Sequence, residues 1–407
     1  MRVAVVAPRY GEGIVGGAEA AMRMYAERLV SQLGWRVEAL TTCAADYMTW
    51  EDELPAGESM VNGVRVRRFP SVHGRTAEFD VVSRRVLPAP QRAALADSER
   101  WIELQGPRSP ELIEAIASCD ADVVAFSPYL YYPSVRGIET VARRSIFQPA
   151  AHDEPPIYLP VFRDTFMAAA GFVFYGDWER GFVQDLFGVG GTPQVTLGIG
   201  IDDPGPVAAI DRPDIDGGPY VCCLGRVDGG KGTSALAEMF AAYKDAHPGP
   251  LKLVMIGPVV TKPREHPDIV MTGQVDEGEK WALIDGSIGL VSPSPFESFA
   301  IVLLEAWTRG KPVIVNEHCA ATREQVRRSG GGLTYADMAG FVAAVERLSA
   351  DDELREELAR RGRSYLDANY RWERLVDQWG RFAERVAERG AARAPSARPP
   401  RVPSGAS

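Results

Sequence analysis

Glu297 and Glu305 stand eight positions apart within residues 292–312, SPSPFESFAIVLLEAWTRGKP, one beside a Ser-Pro-Ser-Pro turn and the other inside an apolar run. On a single helix, with about 1.5 Å of rise per residue, the two carboxylates would lie roughly 12 Å apart along the axis. Acids that share a proton must sit much closer. The spacing suits an extended ligand with one carboxylate near each end, and the helix N-terminus between them would offer free N–H groups and a positive dipole end to a phosphate. A structural alternative stands beside this reading. Ser294-x-x-Glu297 has the form of a capping box, and Glu305 would then mark a solvent face.

Two further segments carry compatible chemistry. Residues 224–232, LGRVDGGKG, place Arg226 and Lys231 just after a strand-like run. Arginine offers planar bidentate contacts to phosphate oxygens and lysine adds a point charge; the alternative is an exposed turn with two solvated cations. The loop after the first strand, PRYGEGIVGGAE, is glycine-rich, so its backbone can approach an anion at the start of the next helix. Gly11, Gly13 and Gly16 have dinucleotide spacing, but Gly17 follows, the turn is long, and no acid ends the second strand, which argues against a nicotinamide dinucleotide.

The elements that must position these groups alternate. Strand patterns at 3–7, 37–41, 122–126, 172–175 and 195–199 are separated by helical periodicity, beginning with Ala21, Met24, Tyr25, Leu29 and Leu33. The pattern restarts after an Asp/Pro/Gly-rich stretch at 202–218, with strands at 220–224, 251–256, 288–291 and 313–315. Alternation of this kind gives parallel sheets covered on both faces, with ligands bound beyond the carboxyl ends of the strands.

At 407 residues, two domains are expected. A net charge of −10 argues against nucleic acid as the main partner, although Arg65, Arg67, Arg68, Arg84 and Arg85 form a candidate local basic patch. The five cysteines (Cys43, Cys119, Cys222, Cys223 and Cys319) lack metal or disulfide spacing, which fits a reducing cytoplasm. Cys222 and Cys223, adjacent in a strand, should face opposite sides of it. No signal peptide is read, and no apolar run has the length of a membrane span. Cytoplasmic localisation is expected, with peripheral attachment to the membrane face left open.

Gly225-Arg226 with Lys231-Gly232, then Glu297-x7-Glu305 followed by Gly310-Lys311-Pro312-Val313, resemble the retaining glycosyltransferases of family 4, also described as glycosyl transferases group 1. The resemblance runs from Val3 to about Arg385. It implies an α/β chain of GT-B fold, two Rossmann-like domains facing across a cleft. It divides the chain into an N-terminal acceptor-binding domain (1–203), a C-terminal nucleotide-sugar donor-binding domain (204–370), a C-terminal helix (371–389) packing back on the first domain, and a disordered tail (390–407).

Site roles follow from the same resemblance. Arg226 and Lys231, beside Gly225, match the cations that hold the donor diphosphate and neutralise it as it leaves. Glu297 matches the acid on the donor sugar hydroxyls, and Glu305 the acid on the ribose hydroxyls. Backbone N–H groups of Ser298, Phe299, Ala300, Ile301 and Val302 should meet the phosphate or sugar. Gly16 and Gly17 match the loop that approaches from the opposite domain, Gly273 falls at the base pocket, and His152 matches a histidine near the reacting sugar. Ala300 stands where family members usually carry glycine, and Asp228 adds a negative charge between the two cations.

The activity implied is that of a retaining hexosyltransferase, with a UDP- or GDP-sugar as co-substrate and no cofactor or metal. The acceptor would be a lipid, a saccharide or a small metabolite. Glycan, glycolipid or glycosylated-metabolite biosynthesis would be the setting. Alternatives on the same fold are a non-catalytic nucleotide-sugar-binding partner subunit and a sugar-nucleotide epimerase or phosphorylase.

Overall fold

Runs such as Tyr220–Leu224 and Lys252–Ile256 are apolar on both faces, so they can exist only as inner strands of a covered sheet. The computed structural model describes residues 1–392 except 15, 209–211, 213 and 216. Its strands are β1 (Arg2–Val6), β2 (Arg36–Thr42), β3 (Gly57–Val61), β4 (Val64–Phe69), β5 (Val123–Phe126), β6 (Ser145–Phe147), β7 (Gly171–Phe174), β8 (Gln194–Thr196), β9 (Tyr220–Leu224), β10 (Lys252–Ile256), β11 (Ile269–Gly273), β12 (Gly289–Ser292), β13 (Val313–Asn316) and β14 (Gly332–Tyr335). The helices of the first half are α1 (Gly17–Leu33), α2 (Ala77–Val86), α3 (Leu95–Gln105), α4 (Pro110–Ser118), α5 (Tyr132–Thr140), α6 (Val161–Ala168) and α7 (Asp177–Phe187). Those of the second are α8 (Thr233–Ala246), α9 (Glu277–Gly286), α10 (Ile301–Thr308), α11 (Ala320–Ser329), α12 (Met338–Ala350), α13 (Asp352–Asn369) and α14 (Trp372–Ala392).

Two sheets result, each with helices on both faces. The first has the order β3-β4-β2-β1-β5-β6-β7-β8 and the second β11-β10-β9-β12-β13-β14. Among the described residues the named strands pair in parallel except in the hairpin β3–β4. Chain order reverses between β1 and β5 in the first sheet and between β9 and β12 in the second, and such switch points open a crevice at the strand ends. Gly225–Lys231 leaves β9 and the Glu297 loop leaves β12, so the second switch point carries both chemical motifs.

One apolar cluster is continuous across both domains. It joins Val3, Tyr25 and Leu29 to Cys222, Leu303 and Trp307, and includes Trp372 and Trp379 of α14. The outer faces carry separate clusters, and Cys223 lies in the one opposite Cys222, as its place in the strand requires. Helix α14 lies on the first domain. Trp372 meets Tyr25 edge-on with centroids 5.2 Å apart, Arg28 sits 4.0 Å over the Trp372 ring, and Trp379 Nε1 donates to Gln148.

Several sequence expectations change. The basic patch is largely neutralised, because Arg65 pairs with Glu58, Arg67 lies near Glu38 and Glu58, and Arg85 pairs with Asp97. Helix α14 continues through Ala392, past the expected helix end, and the expected tail from 393 onward lies outside the described residues. Part of the linker at 202–218 also lies outside them; within the described part, Asp203 pairs with Arg363 and lies near Arg309. No helix among the described residues is long and apolar enough to cross a membrane.

Candidate functional site

Lys231 and Glu297, 66 residues apart in sequence, meet directly. Lys231 Nζ donates to Glu297 Oε1 at 2.7 Å. The turn before Lys231 is closed by Asp228, which is buried and whose Oδ1 accepts from Lys231 N while its own N–H donates to Thr233. Asp228 is therefore a turn-forming residue, and it also lies 3.4 Å from Arg226. Arg226 reaches toward the other domain, its guanidinium 4.7 Å from the centre of the Tyr47 ring.

Helix α10 begins only at Ile301, so the 12 Å spacing expected for the two glutamates on one helix does not hold. The capping-box alternative fails for the same reason. Ser294 Oγ donates to the Phe296 carbonyl, and the helix is preceded by Ala300 in the left-handed region (φ 63°) with no side-chain cap. Glycine would adopt that conformation with less strain than alanine does. Glu305 lies within α10 and is 13% exposed, and Lys280 of α9 holds it at 2.8 Å. Burial disfavours the Lys280 ammonium, yet Glu305 and Glu277 together raise its pKa above the usual value. Lys280 had no motif to reveal it; only the packing of α9 beside α10 brings it there.

Phe299 is not a contact residue by its side chain. Its ring is buried against Tyr175 and Tyr370, and its carbonyl accepts from Gln325. Ile301 and Val302 pack against the shared core, and Ser298 is half-buried beside them. What this segment offers a ligand is the backbone N–H groups at the start of α10.

From the first domain, Gly16 precedes α1 beside a buried ion pair absent from the sequence reading. Arg9 Nη2 and Nε donate to Glu19 Oε1 at 2.6 and 3.1 Å, both side chains being nearly inaccessible. A Cβ at Gly16 would fall 2.4 Å from Glu19 Oε2 and 2.9 Å from Arg9 Nη2, so a side chain there would have to displace this ion pair. Gly17 opens the helix with free space around it. His152 stacks on Phe296, with centroids 6.0 Å apart, which sets it beside the Glu297 loop, and its Nδ1 lies 3.4 Å from Glu154. Gly225, Gly257 and Gly273 end the neighbouring strands β9, β10 and β11 with positive φ, forming a shelf without side chains.

The His152 loop is anchored by Glu179 of α7, which is fully buried. Its Oε1 accepts from Ala151 N and its Oε2 from Tyr175 N, both at 2.7 Å. Burial pushes this carboxyl from 4.5 up to about 8, against the pull of the N–H groups of Tyr175, Ala151 and Gly176. A folded value above the unfolded one means that the stabilising contribution is whole below about pH 4.5 and is lost as pH rises through about 8. The melting temperature of the wild type is expected to fall relative to E179Q between about pH 5 and 8.5. Parallel pH profiles of the two proteins would contradict this.

Among the described residues no group of three or more His, Cys, Asp or Glu side chains is placed to hold a metal ion. A hollow of about 830 Å³ lined by Met1, Asp122, Glu139 and Arg143 lies at the amino ends of β1 and β5, away from the motif loops.

Two Rossmann-like domains whose motif loops converge at the strand ends define the GT-B architecture. Residues 210–365 match the family described as glycosyl transferases group 1, and this stretch contains Arg226, Lys231, Glu297 and Glu305. Among curated proteins, the chain is similar to glycosyltransferase 1 domain-containing protein 1 of Xenopus tropicalis, 26% identical over 38% of this chain and 46% of the relative. It is similar also to glycogen synthase of Mycobacterium tuberculosis, 28% identical over 48% of this chain and 49% of the relative. The matched part spans about half the length of these relatives. Sucrose-phosphate synthase from Thermosynechococcus elongatus has the same fold, with a TM-score of 0.68 at 16% identity over 95% of this chain and 98% of that one.

Proposed function

We propose that the protein is a retaining glycosyltransferase that moves a sugar from a nucleoside-diphosphate sugar to an acceptor hydroxyl. The observation that carries this reading is the Lys231–Glu297 contact at the switch point of the second sheet, beside Arg226 and the N-terminus of α10. The two side chains converge on one point of the cleft, where the ammonium can meet a phosphate and the carboxylate the sugar hydroxyls. Lys280 and Glu305 repeat the arrangement at the ribose end.

In the reaction the bond from the anomeric carbon to the diphosphate breaks, and the acceptor oxygen bonds to the same face of that carbon. The acceptor proton passes to a donor phosphate oxygen. Arg226, Lys231 and the N–H groups of α10 stabilise the charge gathering on the departing diphosphate. His152 bounds the sugar from the first domain, and Gly16 and Gly17 bring backbone toward the phosphates. The glycosyl transferases group 1 match over the donor half and the names of the curated relatives support this reading.

The test is a thermal-shift panel of UDP, GDP and their sugars, followed by an assay for donor hydrolysis without acceptor. One nucleoside diphosphate at about a hundred times its Kd should stabilise the fold by about 2.7 kcal/mol, and its sugar should hydrolyse slowly. Stabilisation without any turnover would instead favour a binding subunit, and no stabilisation by any member would overturn the reading.

A further inference from the structure

The segment from Tyr47 to Trp50 crosses the first-domain wall of the cleft. Tyr47 lies between two guanidinium groups, that of Arg226 at 4.7 Å and that of Arg9 at 5.4 Å from its ring centre. Three residues further on, Trp50 meets Tyr131 edge-on, with centroids 5.2 Å apart, and Arg75 lies 5.7 Å from the Trp50 ring. A short stretch of chain thus leads from the diphosphate cation to a second cationic position on the opposite domain.

Arg75 differs from the other cations here. Arg9 is paired with Glu19, Lys231 with Glu297, and Arg226 lies near Asp228. Arg75 forms no ion pair with any described residue. Its Nη2 donates to the carbonyl and the Oε1 of Gln105 at 3.2 and 2.9 Å, and its plane is supported by Phe79 at 4.4 Å. Its Nε is shut away from solvent with no hydrogen-bond partner. Asp80 and Asp46 act on it only at longer range, and burial is the main influence, lowering its pKa. Tyr131 packs edge-on against Trp50, and two residues before it Tyr129 donates its hydroxyl to Glu154 at 2.6 Å, the acid beside His152, so the group around Arg75 adjoins the His152 loop.

We propose that the stretch of the first domain around Arg75 is the acceptor subsite and that the acceptor carries an oxyanion, a phosphate ester or a carboxylate, held by Arg75. A half-buried guanidinium without an acid loses hydration with no compensating charge, and an anion beside it supplies the charge that is missing. Gln105 and Phe79 fix the guanidinium in place beforehand, so little side-chain freedom is lost on binding. The anion would anchor the acceptor and leave a hydroxyl directed toward the donor sugar between His152 and Glu297.

This inference rests on the transfer reading above, and the experiment separates the two. The diphosphate site is first filled with the nucleoside diphosphate that stabilises the protein. Inorganic phosphate, acetate, glucose, glucose 6-phosphate and glucuronate are then titrated at constant ionic strength against wild type, R75Q and R75K. An oxyanion is expected to bind wild type at least about tenfold more tightly than R75Q, with R75K between them. Nucleoside diphosphate affinity should be equal in all three, and glucose should not distinguish them. The phosphate and carboxylate arms show which oxyanion is read. Equal binding of anions by wild type and R75Q, or no anion binding at all, overturns the subsite. Anion binding through Arg75 in a protein that ignores every nucleoside diphosphate would keep the subsite and overturn the transfer reading.

Discussion

Replacing Lys231 with alanine is expected to lower turnover by about a hundredfold to a thousandfold while the protein stays folded. The magnitude is that of removing one preorganised group aimed at developing charge. Lys231 sits on a turn whose geometry is fixed without its side chain, because Asp228 Oδ1 holds its backbone N–H and Thr233 Oγ1 holds that of Asp228. The ammonium can therefore be removed without unmaking the loop. Its side chain is 36% exposed, so the ion pair itself is worth about 1 kcal/mol or less to stability. Glu297→Ala should show a comparable loss of turnover, and the double variant should lose less than the sum of the single effects, because the two side chains are in direct contact. Steady-state kinetics beside melting curves check the prediction. Near-normal turnover in either single variant would remove the Lys231–Glu297 contact from the mechanism.

Legibility in the sequence followed the physics of burial. Strands β9, β10 and β13 are apolar on both faces, so a short hydrophobic run between turns marked each within a residue or so. The hairpin β3–β4 escaped because its strands are half exposed and charged, although Asn62-Gly63, both at positive φ, is a strong signal for a two-residue turn. Strand β6 is three residues long and gives no periodicity to read. Within the site, Arg226, Lys231, Glu297 and Glu305 were marked by their motifs. Their partners were not: Tyr47 reaches Arg226 and Lys280 reaches Glu305 only through tertiary packing, as the Arg9–Glu19 pair reaches Gly16. The expectation of one helix carrying both glutamates failed because the chain turns at left-handed Ala300, and no spacing rule registers a single residue of that kind.

Gly257→Ala is expected to damage both stability and donor binding. Strand β10 ends at Ile256, whose carbonyl accepts from Gly225 N at 2.9 Å, while Gly257 N donates to Gly273 O at 3.0 Å. The three strand ends are thereby stitched together by backbone alone. A Cβ on Gly257 would lie 2.2 Å from Gly225 O and 2.8 Å from Gly225 C, and the residue has a φ of 141°. No flexible side chain is available to yield, so either β9 and β10 separate at their ends or the peptide before Arg226 rotates. Overpacking of this kind costs about 1–3 kcal/mol, and the unfavourable backbone conformation adds about 1 kcal/mol. Displacing Arg226 by about 1 Å would cost a further hundredfold in turnover among the molecules that stay folded. Gly273→Ala provides the contrast. Its φ is also positive, at 70°, but nothing lies within 4 Å of the added methyl, so only the conformational cost of about 1 kcal/mol applies. Melting curves and nucleoside diphosphate titrations of the two variants side by side test the argument. If both behave alike, the close approach of Gly257 to Gly225 is not what holds Arg226 at the mouth of the cleft.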